Sequence, residues 1–307
     1  MGLIVALIWG AGAGDAWAAA TVGVGSAGSQ AGAAPVQLAI IALGLAVLAV
    51  LWAADVIRPG SFRRRGGRDV GDLPWGVWLI AGGLVLASGM VAGGLLLSLP
   101  AFGGAATGSL RQQSVLNLVV MGVNLAVGGT LVYLIESQVP RSAGLRLRWS
   151  DVPIGLGAFL AAAPVILAAS VVTPLVHRAV TGESPDPVGH ETLRVIVDNP
   201  ENPWVWGLIL AAVVLAPIAE EITYRVFVQS ALLRLTGSHW AAVIMTSLGF
   251  TAMHAGQVPL YAMPVLLALA LAMGIAYERT GRLGVPIVMH VAFNGANIAL
   301  AMLQPTR

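Results

Sequence analysis

The sequence predicts an all-α fold, a polytopic membrane helix bundle of about eight transmembrane helices, nine if an apolar N-terminal segment is retained. Three observations predict it. Of 307 residues, 57% are hydrophobic and only 10% charged, with a mean hydropathy of +0.85; a soluble domain is nearer one quarter charged. Several apolar runs exceed about 18 residues, the length that crosses a bilayer as a helix. Trp52, Trp75, Trp78, Trp149, Trp204, Trp206 and Trp240 fall near the ends of these runs, where an interfacial aromatic belt sits.

In chain order, residues 1–20, "MGLIVALIWGAGAGDAWAAA", form a short apolar stretch ending in small residues. It reads equally as a secretory signal without its basic n-region or as a short first helix. "TVGVGSAGSQAGAA" follows as a Gly/Ala/Ser linker, so residues 1–34 are a signal-like or anchor segment with a linker. Helices are predicted over 36–57, 75–99, 113–135, 152–176, 204–234, 240–254, 260–278 and 285–303. Residues 35–150 hold accessory helices, and 151–307 the core that carries the motifs below. The longest loop, 177–203, contains turn-forming Pro, Gly, Asp and Asn around a helix-like piece, "HETLRVIVD".

Charge placement orients the bundle. Arg58, Arg63, Arg64, Arg65, Arg68, Arg141, Arg146, Arg148, Arg234, Arg279 and Arg282 fall on one side; Arg111, Arg178, Arg194 and Arg307 fall on the other. The positive-inside rule makes the richer side cytoplasmic, and with a signal-like N-terminus this fits a multi-pass protein of a bacterial inner membrane. There is no Cys, which excludes disulfides, thiol catalysis and cysteine metal sites. A net charge of +2 does not suggest a nucleic-acid partner. Gly- and Ala-rich helices pack within a chain or between chains, so the oligomeric state stays open.

Against this background "LAPIAEEITYRVF", residues 215–227, places three ionisable groups inside a span. A charge there costs about 2.5–3.5 kcal/mol on insertion scales, so groups kept there usually act on something. Glu221 and Arg225 are four apart and can pair on one helix face. Glu220 points about 100° away and lacks that partner, which suits a general acid or base. Pro217 removes a backbone donor and is expected to kink the helix and open a polar cavity. The next span supplies "FTAMH", with Phe250 and His254 four apart. The last supplies "HVAFN", with His290 and Asn294 four apart. Counted inward from Arg234, Trp240 and Arg282 at ~1.5 Å per residue, Glu220 and His254 lie ~21 Å deep and His290 ~12 Å, so they meet only if helices tilt or break. Taken singly, Glu221 with Arg225 reads as a structural pair and each His or Asn as interhelical glue. Five such groups on three helices in the last third of the chain read as a site. Asn117, Asn124 and Gln138 look like packing groups, and Glu278 and Arg279 like residues of the cytoplasmic end.

"EEITYR" fits EExxxR, "FTAMH" fits FxxxH and "HVAFN" fits HxxxN. In that order they resemble the CPBP family of intramembrane proteases, which includes type II CAAX prenyl endopeptidases and bacteriocin-processing or self-immunity proteins. The resemblance spans about 151–307 and includes "SAGLRLRWSDVPIGL" at the start of the core. It implies an intramembrane endopeptidase, a CAAX protease-like hydrolase of metallo type, that cleaves a membrane-associated protein or peptide. By the family's pattern Glu220 and His254 activate water, His290 and Asn294 stabilise the oxyanion, and Glu221, Arg225 and Phe250 support the site. Prenylated CAAX proteins are the family's eukaryotic precedent for a substrate. Glu220, His254 and His290 also offer a zinc set with water in the fourth position if they converge; a metal-free glutamate mechanism uses the same residues. Two other readings stand beside the enzyme. One is a non-catalytic immunity or peptide-binding factor on the same fold. The other is a proton-coupled transporter relaying protons through Glu220 and His254, against which stands the lack of a clear internal repeat.

Overall fold

The computed structural model describes residues 27–102, 108–183 and 191–303. The signal-like stretch 1–20, the loop residue His190 and Arg307 lie outside the described residues. Every element described is helical: α1 (Ala27–Ala53), α2 (Ser61–Arg65), α3 (Trp75–Ser98), α4 (Leu110–Glu136), α5 (Asp151–Thr181), α6 (Glu191–Asp198), α7 (Val205–Thr236), α8 (His239–Met253), α9 (Met263–Thr280) and α10 (Gly284–Met302), with 3-10 turns between some of them. The eight expected spans correspond to α1, α3, α4, α5, α7, α8, α9 and α10. Seven are long and apolar enough to cross a membrane. The exception is α8, whose 15 residues reach only about 22 Å, short of the ~30 Å hydrocarbon core.

Three boundaries differ from the sequence reading. The first described helix covers Ala27–Ala53, so it takes in part of the expected linker and holds Pro35 within it. The fourth runs to Thr181, so His177 is a helical residue and stacks on Tyr261 at 5.1 Å. The third concerns His254. It is not inside a span but caps α8, with φ −91° and ψ 0°.

Small residues set the helix spacing. A Cβ on Gly44 of α1 would lie 2.6 Å from the Ala168 Cβ of α5, so that pair packs backbone against backbone. Gly237 and Gly281 end α7 and α9 with positive φ, 64° and 56°, and turn the chain into the next helix. The main core joins α3, α7 and the loops at one end. Trp78, Ala81 and Val85 of α3 pack with Ile222, Val226 and Phe227 of α7, so α3 forms one wall of the helix that carries the EExxxR motif. The outer surface is lined with exposed apolar side chains such as Leu43, Ile80, Met90, Leu95 and Leu160, the surface a lipid-facing bundle presents.

A buried ion cluster ties the Arg-rich end together. Arg68 reaches in from the segment before α3. It donates to Glu278 Oε1 at 2.9 and 3.2 Å, to the Ala143 carbonyl at 3.0 Å and to Ser230 Oγ at 3.2 Å, and its guanidinium lies 3.8 Å from the Tyr277 ring centroid. Glu278 also pairs with His239 Nδ1 at 2.8 Å and accepts from Gln229 Nε2 at 2.8 Å. Both charges of the Arg68–Glu278 pair are fully buried. Glu278 is thus the hub of a network, where the sequence suggested only a helix-end residue.

Removing one partner of a buried pair leaves an uncompensated charge, which costs about 3–5 kcal/mol. Glu278→Ala is therefore expected to lower the melting temperature of the detergent-solubilised protein steeply. Glu136→Ala, which breaks the half-exposed Arg146–Glu136 pair, should cost about 1 kcal/mol or less. Equal shifts in the two variants would contradict the energetic ranking.

Candidate active site

α7 is not a regular helix. Two π-helical turns, Ala211–Leu215 and Ile222–Val228, flank a short α segment, Ala216–Glu221. Such turns widen a helix and are frequent at functional sites. The first explains Pro217. Ala216 N–H bonds to the Ala211 carbonyl, five residues back. In that register the next donor would serve the Ala212 carbonyl, but Pro217 has no N–H. The Asn294 side chain on α10 donates to Ala212 O instead, at 2.8 Å. Pro217 thus frees a carbonyl in a widened turn for a side chain of another helix.

Glu220 and Glu221 separate as their helical positions require. Glu221 is sealed from solvent, its side chain 0% exposed, while the Glu220 side chain is 27% exposed. Glu221 Oε2 accepts from Arg225 Nε at 2.9 Å, and Oε1 meets His290 Nδ1 at 3.0 Å. The other ring nitrogen of His290 faces Glu220 Oε2 at 3.9 Å. The two carboxylates therefore bracket one imidazole, and the depth mismatch counted from the helix ends disappears in the packing of α7 against α10.

His254 reaches the site through Phe250. The Phe250 ring lies 4.6 Å from the His254 ring, 5.8 Å from the His290 ring and 5.1 Å from Tyr224, the last two edge-on, with the Arg225 guanidinium carbon 5.7 Å away. His254 Nδ1 is 2.8 Å from the Phe250 carbonyl. A carbonyl only accepts, so in the neutral ring Nδ1 carries the proton and Nε2 presents a lone pair. Because α8 stops at Met253, this imidazole sits at a helix end with exposed Ala255, Gly256 and Gln257 beside it.

All seven candidate residues thus belong to one region of three helices. Glu220, Glu221, Arg225 and His290 touch directly, Phe250 links His254 to them, and Asn294 is held one turn beyond His290 by the freed carbonyl. For a metal the fit is poor: among the described residues no three His, Cys, Asp or Glu side chains form a group that holds an ion, and Glu220, His254 and His290 make no such group. Asn124 packs as expected, bonded to Ser88 of α3 at 3.2 Å. The sequence reading passed over Gln229. The signal was present, since 221, 225 and 229 continue one ladder at four-residue spacing.

A protein-family model described as Type II CAAX prenyl endopeptidase Rce1-like matches residues 202–296. The matched segment contains all three motifs and is narrower at both ends than the 151–307 expected from them. It runs from just before α7 into α10, the same helices that assemble the site. The match bears out the resemblance to the CAAX protease family and supports a protease class. With the seven apolar helices it makes this an integral, multi-pass membrane protein. No curated protein and no solved structure matches the chain.

The two glutamates should separate by stability. Glu221→Gln weakens the bonds to both Arg225 and His290 and is expected to cost about 3–5 kcal/mol, as for a broken buried pair. Glu220→Gln, partly exposed, should stay within about 0.5 kcal/mol of wild type. Thermal unfolding of both variants in detergent checks this, and a reversed order would reject the division of roles.

Proposed function

We propose that the protein is an intramembrane endopeptidase in which Glu220 is the general base. The observation that carries this reading is the asymmetry of the pair: Glu221 is enclosed and doubly bonded, while Glu220 is accessible and faces His290. A water between Glu220 and the lone pair on His254 Nε2 would be held by two acceptors, its oxygen free to attack. Glu220 takes the water proton as the C–O bond forms and delivers it to the departing amine nitrogen as the C–N bond breaks. The negative charge that develops on the carbonyl oxygen needs donors aimed at it. We assign that task to His290, whose Nδ1 is held by the Glu221 carboxylate, together with Asn294. Asn294 uses one N–H on the Ala212 carbonyl and keeps another. No step is routed through a metal. The substrate class is a peptide segment presented from the membrane, and the Arg-rich end faces the cytoplasm of a bacterial inner membrane.

The test is cleavage of a quenched peptide library by detergent-purified protein beside its Glu220→Gln variant, each with and without a chelator. Loss of the base is expected to reduce kcat by a factor of about 100–10,000, with wild-type cleavage unchanged by chelation. Equal cleavage by both proteins would overturn the role of Glu220. Loss on chelation, restored by zinc, would place Glu220, His254 and His290 around an ion and overturn the metal-free step. Peptide binding without cleavage by either protein would favour a non-catalytic peptide-binding factor.

A further inference from the structure

Behind the Glu221–Arg225 pair lies a set of buried polar atoms that the proposed reaction does not use. Arg225 spends only Nε on Glu221. Its Nη1 and Nη2 are buried with no hydrogen-bond partner among the described residues, and so are Gln229 Oε1, Thr246 Oγ1 and Ser247 Oγ. Such orphans are uncommon, and an ordered water is one way each is satisfied. Thr246 stands out within its own class. Thr130, Thr223, Thr236, Thr251 and Thr280 all bond back to the carbonyl four residues earlier; Thr246 does not.

Two of these groups meet beside α9. A Cβ on Gly274 of α9 would sit 3.2 Å from Gln229 Oε1, 3.2 Å from Val243 Cγ1 and 3.6 Å from Arg225 Nη1. The amide oxygen and the guanidinium therefore approach the same point on α9, too closely for a side chain there to fit without displacing them. On α8, Val243 reaches this point and Phe250 lies under the guanidinium. Thr246 and Ser247 fall between those two on the same helix face. The orientation of Gln229 is fixed from its other end: Nε2 donates to Glu278 Oε1 at 2.8 Å and to the Gly274 carbonyl at 3.2 Å, which turns Oε1 toward Arg225. Donors and acceptors complement one another here, yet none bonds directly. That is the arrangement a small bridging molecule completes, and a buried water typically makes about three such bonds.

We propose that Gln229, Thr246 and Ser247 bind ordered water against Arg225, and that this site positions the catalytic pair. The water completes the guanidinium's hydrogen bonds, Arg225 holds Glu221, and Glu221 holds His290. Gln229 links the arrangement to Glu278 and Arg68, so the two buried charge clusters form one continuous polar column through the bundle. Thr246, Ser247 and Gln229 touch no reacting atom and are positioning residues. The positioning role rests on the endopeptidase reading; the water site does not.

Two measurements separate these. The first is a density map of the detergent-solubilised protein that resolves ordered water. The expected result is a peak within hydrogen-bond distance of Arg225 Nη1 or Nη2 and of Gln229 Oε1, Thr246 Oγ1 or Ser247 Oγ. Direct bonds from Arg225 to those oxygens, with no intervening density, would overturn the site whether or not the protein cleaves anything. The second is kinetic. Thr246→Val and Gly274→Ala, one removing a hydroxyl and the other crowding Gln229 beside Arg225, should lower kcat while leaving KM unchanged. Misplaced catalytic groups lose up to about 100-fold in rate. Thr246→Ser should recover most of what Thr246→Val loses. A rise in KM with kcat retained, or no difference between the Val and Ser variants, would overturn the positioning role. If wild type cleaves no peptide, the endopeptidase reading fails while the density result stands.

Discussion

The Glu221 carboxylate is the point from which the rest of the site is built. Taken out of solvent alone, such a group would cost several kcal/mol. Here both oxygens are engaged: one accepts from Arg225 on the same helix, the other holds His290 on α10. The first bond fixes the widened part of α7, and the second fixes the distance between two helices. Glu220, one residue earlier, is thereby turned toward the accessible side. Two adjacent residues of one type acquire opposite environments because a helix rotates about 100° per residue. One becomes structure and the other is left available for chemistry.

The same logic recurs at the Arg-rich end. Arg68, far away in sequence, fills the space between Glu278, Ser230 and the Ala143 carbonyl. Its burial makes the segment before α3 part of the bundle, and α3 in turn packs Trp78 and Val85 against Ile222 and Phe227. The first half of the chain, although it carries none of the motifs, shapes the helix that holds both glutamates.

Much of this was legible beforehand because membrane helices announce themselves by length and composition, and ionisable groups within them are rare enough to notice. The eight helices were placed within a few residues at most ends. The i, i+4 spacing identified the Glu221–Arg225 pair without any tertiary information. What escaped depended on partners distant in sequence or on backbone register. Nothing local marks Arg68 as the partner of Glu278, 210 residues on. The π turns have no pattern of side chains, so nothing local to Pro217 shows that the carbonyl it frees serves Asn294. The depth count assumed regular helices, and the π turns of α7 and the early end of α8 are where that regularity fails.

α8 stops after 15 residues at His254. Where it stops, the chain closes on itself: Ala255 N–H bonds to Ala252 O, and the amides of Gln257 and Val258 both bond to the His254 carbonyl. A bilayer core offers no water to an unfolded backbone, so non-helical chain at that depth is tolerated only where protein or a wet recess satisfies it. The shortened helix thus ends with its imidazole between the Phe250 ring and exposed, non-helical backbone. At about 22 Å it falls short of the ~30 Å hydrocarbon core, so the turn after His254 carries its own hydrogen bonds where a longer helix would have continued them.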